Sequence, residues 1–215
     1  MVHLEERMIA IARPTEPDET LEGVFRAGEV GGLLGAVVAP PHPLYGGSIE
    51  SPVVNELSWA AAKNGIASIA FNWRGVGASA GAPRGDNEHA DEDYAAALAH
   101  LAATVDGPLI ACGYSFGSAA AVRAAQANAM GRIDRLILVA PPPALIDPHE
   151  IAELGMPTLV VTGSEDAMVP KDVVSAALLD APGVRLEVIP GADHFFAIGL
   201  AQLGQLAQNW LPNAG

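Results

Sequence analysis

Gly113-Tyr114-Ser115-Phe116-Gly117 is a G-x-S-x-G pentapeptide set between a short apolar run and an alanine-rich run. A serine hydroxyl is a poor nucleophile until a base takes its proton, and the base needs a third group to fix its tautomer and stabilise its cation. Two later stretches offer those groups. Gly163-Ser164-Glu165-Asp166 follows Val160-Val161-Thr162, and Pro190-Gly191-Ala192-Asp193-His194-Phe195-Phe196 follows the apolar run that ends at Ile189. His194 is the candidate base and Asp166 the candidate orienting acid, with Glu165 and Asp193 as alternatives. Asp193 adjoins His194 on an extended loop, where neighbouring side chains point apart, so a turn-stabilising role suits it better.

The elements that must position these groups read as alternating strands and helices. Leu109 to Cys112 reads as a buried strand and Ser118 to Ala129 as a helix packed closely on a sheet. Ser115 then sits on the sharp strand-to-helix turn called a nucleophile elbow, where strained dihedrals and close backbone approach demand small neighbours. Gly113 and Gly117 meet that demand. The helix N-terminus beside Ser115 also favours a developing oxyanion.

Elsewhere, Met8 to Ala12 and Leu21 to Arg26 predict two short N-terminal strands forming an antiparallel edge. Further strands are predicted at Leu33 to Ala39, Ile66 to Asn72, Leu136 to Ala140, Thr158 to Thr162 and Arg185 to Ile189. Helices are predicted at Pro52 to Lys63, Asp91 to Ala103, Asp172 to Leu179 and Phe196 to Trp210. This order implies a mainly parallel twisted sheet with helices on both faces. The functional loops of such a sheet leave the carboxyl ends of its strands.

Composition narrows the partners. The chain has 215 residues, half of them hydrophobic, which fits one domain spanning 1–215. Its net charge is −14 and its only lysines are Lys63 and Lys171, against nucleic acid or an anionic membrane surface as partner. No transmembrane run or signal-peptide order is present, so a cytoplasmic location is expected. With Cys112 alone, no intrachain disulfide or cysteine-based metal site can form. Cys112 reads as a small core residue.

Several other features read as structural. Gly75 and Gly77 resemble part of a dinucleotide turn, but the next glycine, Gly81, comes one place late and opens no helix. His89-Ala90-Asp91-Glu92-Asp93 reads as the acidic start of a helix rather than a metal site. Arg74 is read as bracing its own turn. His3, His89, His100 and His149 carry no motif and read as solvated.

The triad order Ser115, Asp166, His194 is that of the α/β-hydrolase superfamily, and the sequence resembles that superfamily over about residue 21 to the C-terminus. Within it, the chain is similar to small capless hydrolases related to dienelactone hydrolase and bacterial carboxylesterases. The marks are His42-Pro43-Leu44-Tyr45-Gly46-Gly47, Phe71-Asn72-Trp73-Arg74-Gly75-Val76-Gly77, the pentapeptide itself, Val139-Ala140-Pro141-Pro142 and Gly191-Ala192-Asp193-His194-Phe195-Phe196.

The resemblance implies an α/β-hydrolase fold and an oxyanion hole made by the Phe116 amide and one from the His42–Gly47 loop. The superfamily often has His-Gly there, but Pro43 has no N–H to give, so Leu44 is expected, with Tyr45 second. His42 is read as holding that loop. Dehalogenases and epoxide hydrolases of the superfamily carry an aspartate where Ser115 stands, so the expected reaction is ester hydrolysis through an acyl-serine, without a cofactor. A thioesterase or peptidase would use the same parts, and a non-catalytic binding module would need none of them.

In this fold the lid usually follows the strand after the elbow helix. Here that connection is Pro141 to Pro157, with room for one short helix near Pro148 to Leu154, so no cap domain is expected and substrates should be small or short in the acyl chain. Tyr45, Trp73 and Phe195 are the expected substrate-binding side chains, and a second subunit in a homodimer is another source of cover.

Overall fold

The computed structural model describes residues 5–29 and 33–213. His3 and the rest of residues 1–4, on which the expectation about a signal peptide rests in part, lie outside them. Among the described residues, eight strands form one sheet in the order β1-β2-β4-β3-β5-β6-β7-β8. They are β1 (Glu6–Arg13), β2 (Glu16–Arg26), β3 (Gly35–Ala39), β4 (Ala67–Phe71), β5 (Leu109–Tyr114), β6 (Ile133–Val139), β7 (Thr158–Gly163) and β8 (Val184–Ile189). β1 and β2 are antiparallel, β2 meets β4 antiparallel, and every other pairing is parallel. The chain order reverses between β3 and β5, and the loops leaving those two strands carry the His42–Gly47 turn and Ser115.

The helices are α1 (Pro52–Lys63), α2 (Asn87–Ala102), α3 (Phe116–Ala127), α4 (Pro148–Glu153), α5 (Lys171–Leu178) and α6 (Leu200–Trp210). They cover both faces of the sheet, which is why β3, β4, β5 and β7 are buried along their whole length rather than alternating. α3 owes its close approach to small residues: Gly117, Ser118, Ala119, Ala120 and Ala121 are all buried. α1 packs on α6, α2 on α3, and α4 on α5. No helix among the described residues is long and apolar enough to cross a membrane.

Several features of the N-terminal half depart from the sequence expectation. The N-terminal strands are longer than predicted and form a hairpin whose bulge at Ala12/Arg13 turns Arg13 inward, onto Glu16 and Glu19. α2 begins one turn early, capped by the Asp86 carboxylate on the His89 amide. The acids expected to serve a first helical turn therefore lie one turn further in and hold arginines: Asp91 takes Arg123, while Glu92 and Asp93 take Arg74. Arg74, expected to brace its own turn, instead ties the end of β4 to α2.

The Arg74–Asp93 pair is buried, with the guanidinium forked onto a single carboxylate oxygen. Nε and Nη2 donate to Oδ1 at 3.0 and 2.8 Å, and the Arg74 backbone N–H donates to Oδ2 at 2.9 Å. Removing one partner of such a pair leaves the other charge desolvated. Asp93→Ala is expected to cost about 3 kcal/mol of folding stability, read from urea unfolding, Glu92 keeping part of the guanidinium's satisfaction. A loss below about 1 kcal/mol would place the pair among ordinary surface bridges.

Candidate active site

The turn from β5 into α3 places Ser115 at φ 54°, ψ −118°, a conformation held against its steric cost by the surrounding backbone. The Ser115 N–H donates to the Val139 carbonyl at 2.8 Å, tying the turn to the end of β6. A Cβ at Gly113 would run into the Gly117 carbonyl, and one at Gly117 would sit 2.5 Å from the Ala39 carbonyl oxygen. The pentapeptide's glycines are thus required by the approach of α3 to β5 and β3.

The loops after β7 and β8 are stitched to each other. Glu165 N–H donates to the Ala192 carbonyl at 2.9 Å, Ser164 N–H to the Ile189 carbonyl at 3.0 Å, and Gly191 N–H to Ser164 Oγ at 2.8 Å. Gly163 lies so close to Ala192 that a side chain there would strike its carbonyl. This crossing sets Asp166 beside His194, whose Nδ1 lies 2.8 Å from Asp166 Oδ2. His194 Nε2 lies 2.9 Å from Ser115 Oγ. The second carboxylate oxygen, Asp166 Oδ1, accepts from the Met168 and Val169 amides, both at 2.9 Å.

The structure therefore brings Ser115, His194 and Asp166 into one hydrogen-bonded line and keeps the alternative acids out of it. Glu165 is exposed and accepts from Ser164 Oγ at 3.2 Å. Asp193 Oδ1 accepts from the Phe195 and Ala197 amides at 3.1 and 3.2 Å, the turn-stabilising part expected of it.

Tyr114 has a part that the sequence reading missed. Its hydroxyl donates to the His194 carbonyl at 2.8 Å, and its ring meets Phe196 edge-on with centroids 6.3 Å apart. Burial, reinforced by the charges of Asp166 and Asp193, pushes the phenol well above its ordinary pKa, so it remains a donor. Phe196, expected to open the last helix, instead sits at φ 54° in the turn that carries His194, and α6 starts only at Leu200. The one signal available was a tyrosine, rather than an aliphatic residue, in a run otherwise wholly apolar.

Phe116 is the first residue of α3, so its N–H has no acceptor within the helix. Across from it, Pro43–Tyr45 forms a short 3-10 turn capped by His42. Both amides expected of this loop have partners there: Leu44 N–H donates to His42 Nδ1 at 3.2 Å, and Tyr45 N–H to the His42 carbonyl at 3.1 Å. The second bond is part of the backbone turn, whereas the first is long and made to a side chain. His42 lies between the Tyr45 and Phe116 rings, each 4.7 Å away, and burial lowers its affinity for a second proton, which keeps Nδ1 an acceptor.

Of the side chains expected to bind substrate, Tyr45 and Phe195 are exposed, and the Phe195 ring stands perpendicular to the His194 ring with centroids 5.7 Å apart. Trp73 must be corrected. It is 1% exposed, its indole N–H donates to the Pro40 and Pro41 carbonyls at 3.2 and 3.0 Å, and its ring packs edge-on against Phe71 and Phe116. Trp73 braces the loop from beneath instead of lining the opening. Cys112 lies buried in β5, its thiol pushed up to about 12 by burial.

The 141–157 connection contains only the six-residue α4, closed by a capping box between Asp147 and Glu150. No cap domain covers the site, and among the described residues no group of three His, Cys, Asp or Glu side chains could hold a metal ion.

This geometry agrees with what the chain resembles. The sequence model of the serine aminopeptidase S33 family matches residues 45–148. An α/β serine hydrolase homologue from Coxiella burnetii is 30% identical over 95% of this chain and 97% of its own, with a TM-score of 0.80. An α/β serine hydrolase without lid from Xanthomonas campestris is 27% identical over 96% of this chain and 93% of its own, with a TM-score of 0.77. An uncharacterized protein of Rickettsia prowazekii is 27% identical over 91% of this chain and 85% of its own. The chain belongs to the α/β-hydrolase superfamily, among its serine hydrolases, in the form that carries no cap.

Proposed function

We propose that the protein is a carboxylesterase acting on small, short-acyl esters. The observation that carries this reading is the unbroken line from Ser115 Oγ through His194 to Asp166 on a strained elbow. Ser115 Oγ attacks the ester carbonyl while His194 Nε2 takes its proton. Asp166 holds the imidazole by Nδ1 and stabilises its cation, with its own second oxygen fixed by two backbone amides. The oxyanion is met by the Phe116 amide and by that of Leu44, which exchanges its long bond to His42 for the stronger charged acceptor. His194 then protonates the leaving alcohol, and water repeats the sequence on the acyl-serine. No step calls for a cofactor.

The acidic chain suits a neutral or cationic small molecule, and neither nucleic acid nor membrane has a part in this reading; its place is the cytoplasm, with a homodimer compatible. The match to a serine aminopeptidase model favours a second reading, in which the same groups cleave an amide.

Fluorophosphonate labelling with peptide mapping is expected to mark Ser115. A series of p-nitrophenyl esters from acetate to palmitate should show kcat/KM highest at short chains, because an open site buries few methylenes at about 0.8 kcal/mol each. A steady climb to palmitate, or a jump when the substrate forms an emulsion, would overturn the short-acyl reading. Faster turnover of aminoacyl p-nitroanilides than of the esters would favour the peptidase.

A further inference from the structure

We infer that the larger apolar part of the substrate is its alcohol, and that Phe195, Ile198 and Met168 bind it; this rests on the esterase reading above. The reacting groups lie at the floor of the site, with Ser115 6% and His194 7% exposed. The acid–base cycle fixes which part of the ester lies where. The proton that His194 Nε2 takes from Ser115 must pass to the leaving oxygen, so that oxygen comes within about 3 Å of Nε2. The alcohol's carbon chain therefore runs out on the His194 side.

That side is apolar and uncovered. Phe195, 73% exposed, stands perpendicular to the His194 ring, and Ile198, 65% exposed, follows on the same loop. Met168, 57% exposed, comes from the Asp166 loop, where its own amide is anchored to the carboxylate. These side chains stand on two loops bonded to each other through Ser164, Glu165, Gly191 and Ala192, so the loops that carry them hold a fixed relation. On the oxyanion-loop side, His42 is wedged between Tyr45 and Phe116, with the Gly85 backbone so close that a Cβ there would lie 2.5 Å from the ring. The fixed His42 ring opens no slot for a long acyl chain on that side, where Leu44 and Tyr45 are the exposed apolar side chains, so the three beside His194 are assigned to the alcohol.

In the balanced step, the bond from the carbonyl carbon to the alcohol oxygen breaks as the acyl group bonds to Ser115 Oγ. The alcohol leaves carrying the proton from His194, and water later releases the acid. Alcohols of one acyl series share a common acyl-serine, so the alcohol acts on kcat/KM through acylation and not on the later hydrolysis.

The test compares butyl, hexyl and octyl acetates, whose alcohols have nearly equal acidity, with ethyl esters lengthened on the acyl side, all below their solubility limits. A half-covered methylene is expected to give about two-fold in kcat/KM, so octyl acetate, longer by four methylenes, should exceed butyl acetate about sixteen-fold. The acyl series should stay flat or fall. The double variant Phe195→Ser, Ile198→Ser should reduce the octyl-to-butyl ratio to about three-fold while leaving the ratios within the acyl series as in the wild type. Equal rates for butyl and octyl acetate, or a double variant that flattens both series alike, would overturn this inference and leave the esterase reading standing. Absence of any ester hydrolysis would remove both.

Discussion

Ser115→Ala should yield a folded protein that takes up no fluorophosphonate and has lost ester hydrolysis on the order of 10⁴-fold or more. The size of the effect follows from what the hydroxyl does and what the backbone does without it. Among the described residues only Ser115 Oγ lies within bonding distance of His194 Nε2, so its removal takes away the group that the base activates. The turn itself is held by the Ser115 N–H on Val139 and by Ser118, whose hydroxyl donates to the Ser115 carbonyl. None of these bonds involves the Ser115 side chain, and the Cβ at φ 54° is present in both serine and alanine. Thermal unfolding should therefore be nearly unchanged. Labelling that persists in the variant, at any residue and with undiminished turnover, would remove Ser115 from the reaction.

Asp166→Asn should lower kcat on the order of 10⁴-fold, by analogy with the same change in a serine protease triad. An amide has one acceptor where the carboxylate has two. Oδ1 of Asp166 takes two backbone N–H groups, and Oδ2 faces His194 Nδ1. If the asparagine oxygen keeps the backbone bonds, its NH₂ faces the imidazole and demands the tautomer with the proton on Nε2, which cannot accept from Ser115. Asp193→Asn offers a control in the same loop pair. There a single oxygen accepts both backbone bonds, and an asparagine oxygen can do the same, so the loss should be no more than a few-fold. Matched kcat measurements on one ester decide the ranking, and the reverse order would make Asp193 the orienting acid.

The sequence made the turn at Ser115 legible because its constraints are local: two glycines, an apolar run before and small residues after. The connection from Pro141 to Pro157 was equally plain, since prolines limit how much helix it can hold. What escaped was direction. Trp73 follows β4 in a stretch of loop, and nothing in its neighbours says that the indole turns down to the Pro40 and Pro41 carbonyls instead of up to solvent. Arg74 and its two acids in α2 lie 18 and 19 positions apart, beyond any turn or helical repeat, so their pairing depends on how α2 packs back against the end of β4. The start of α2 was hidden by polar residues that read equally well as loop until Asp86 caps them. Tyr114 belongs with these: its phenol reaches 80 positions along the chain to His194.

The stitching of the β7 and β8 loops bears on how such a scaffold can diversify. A residue inserted between Gly163 and Asp166 would shift not only the acid but also Ala192 and Gly191, and with them the base; an insertion after Ile189 would shift both in return. The two segments form a single inheritable module that must change together or not at all. The 141–157 connection is closed by its own Asp147–Glu150 capping box, and among the described residues it makes no hydrogen bond to the acid and base loops. New specificity grafted onto this chain by lengthening a loop therefore has its free site there, after β6, and not beside the histidine.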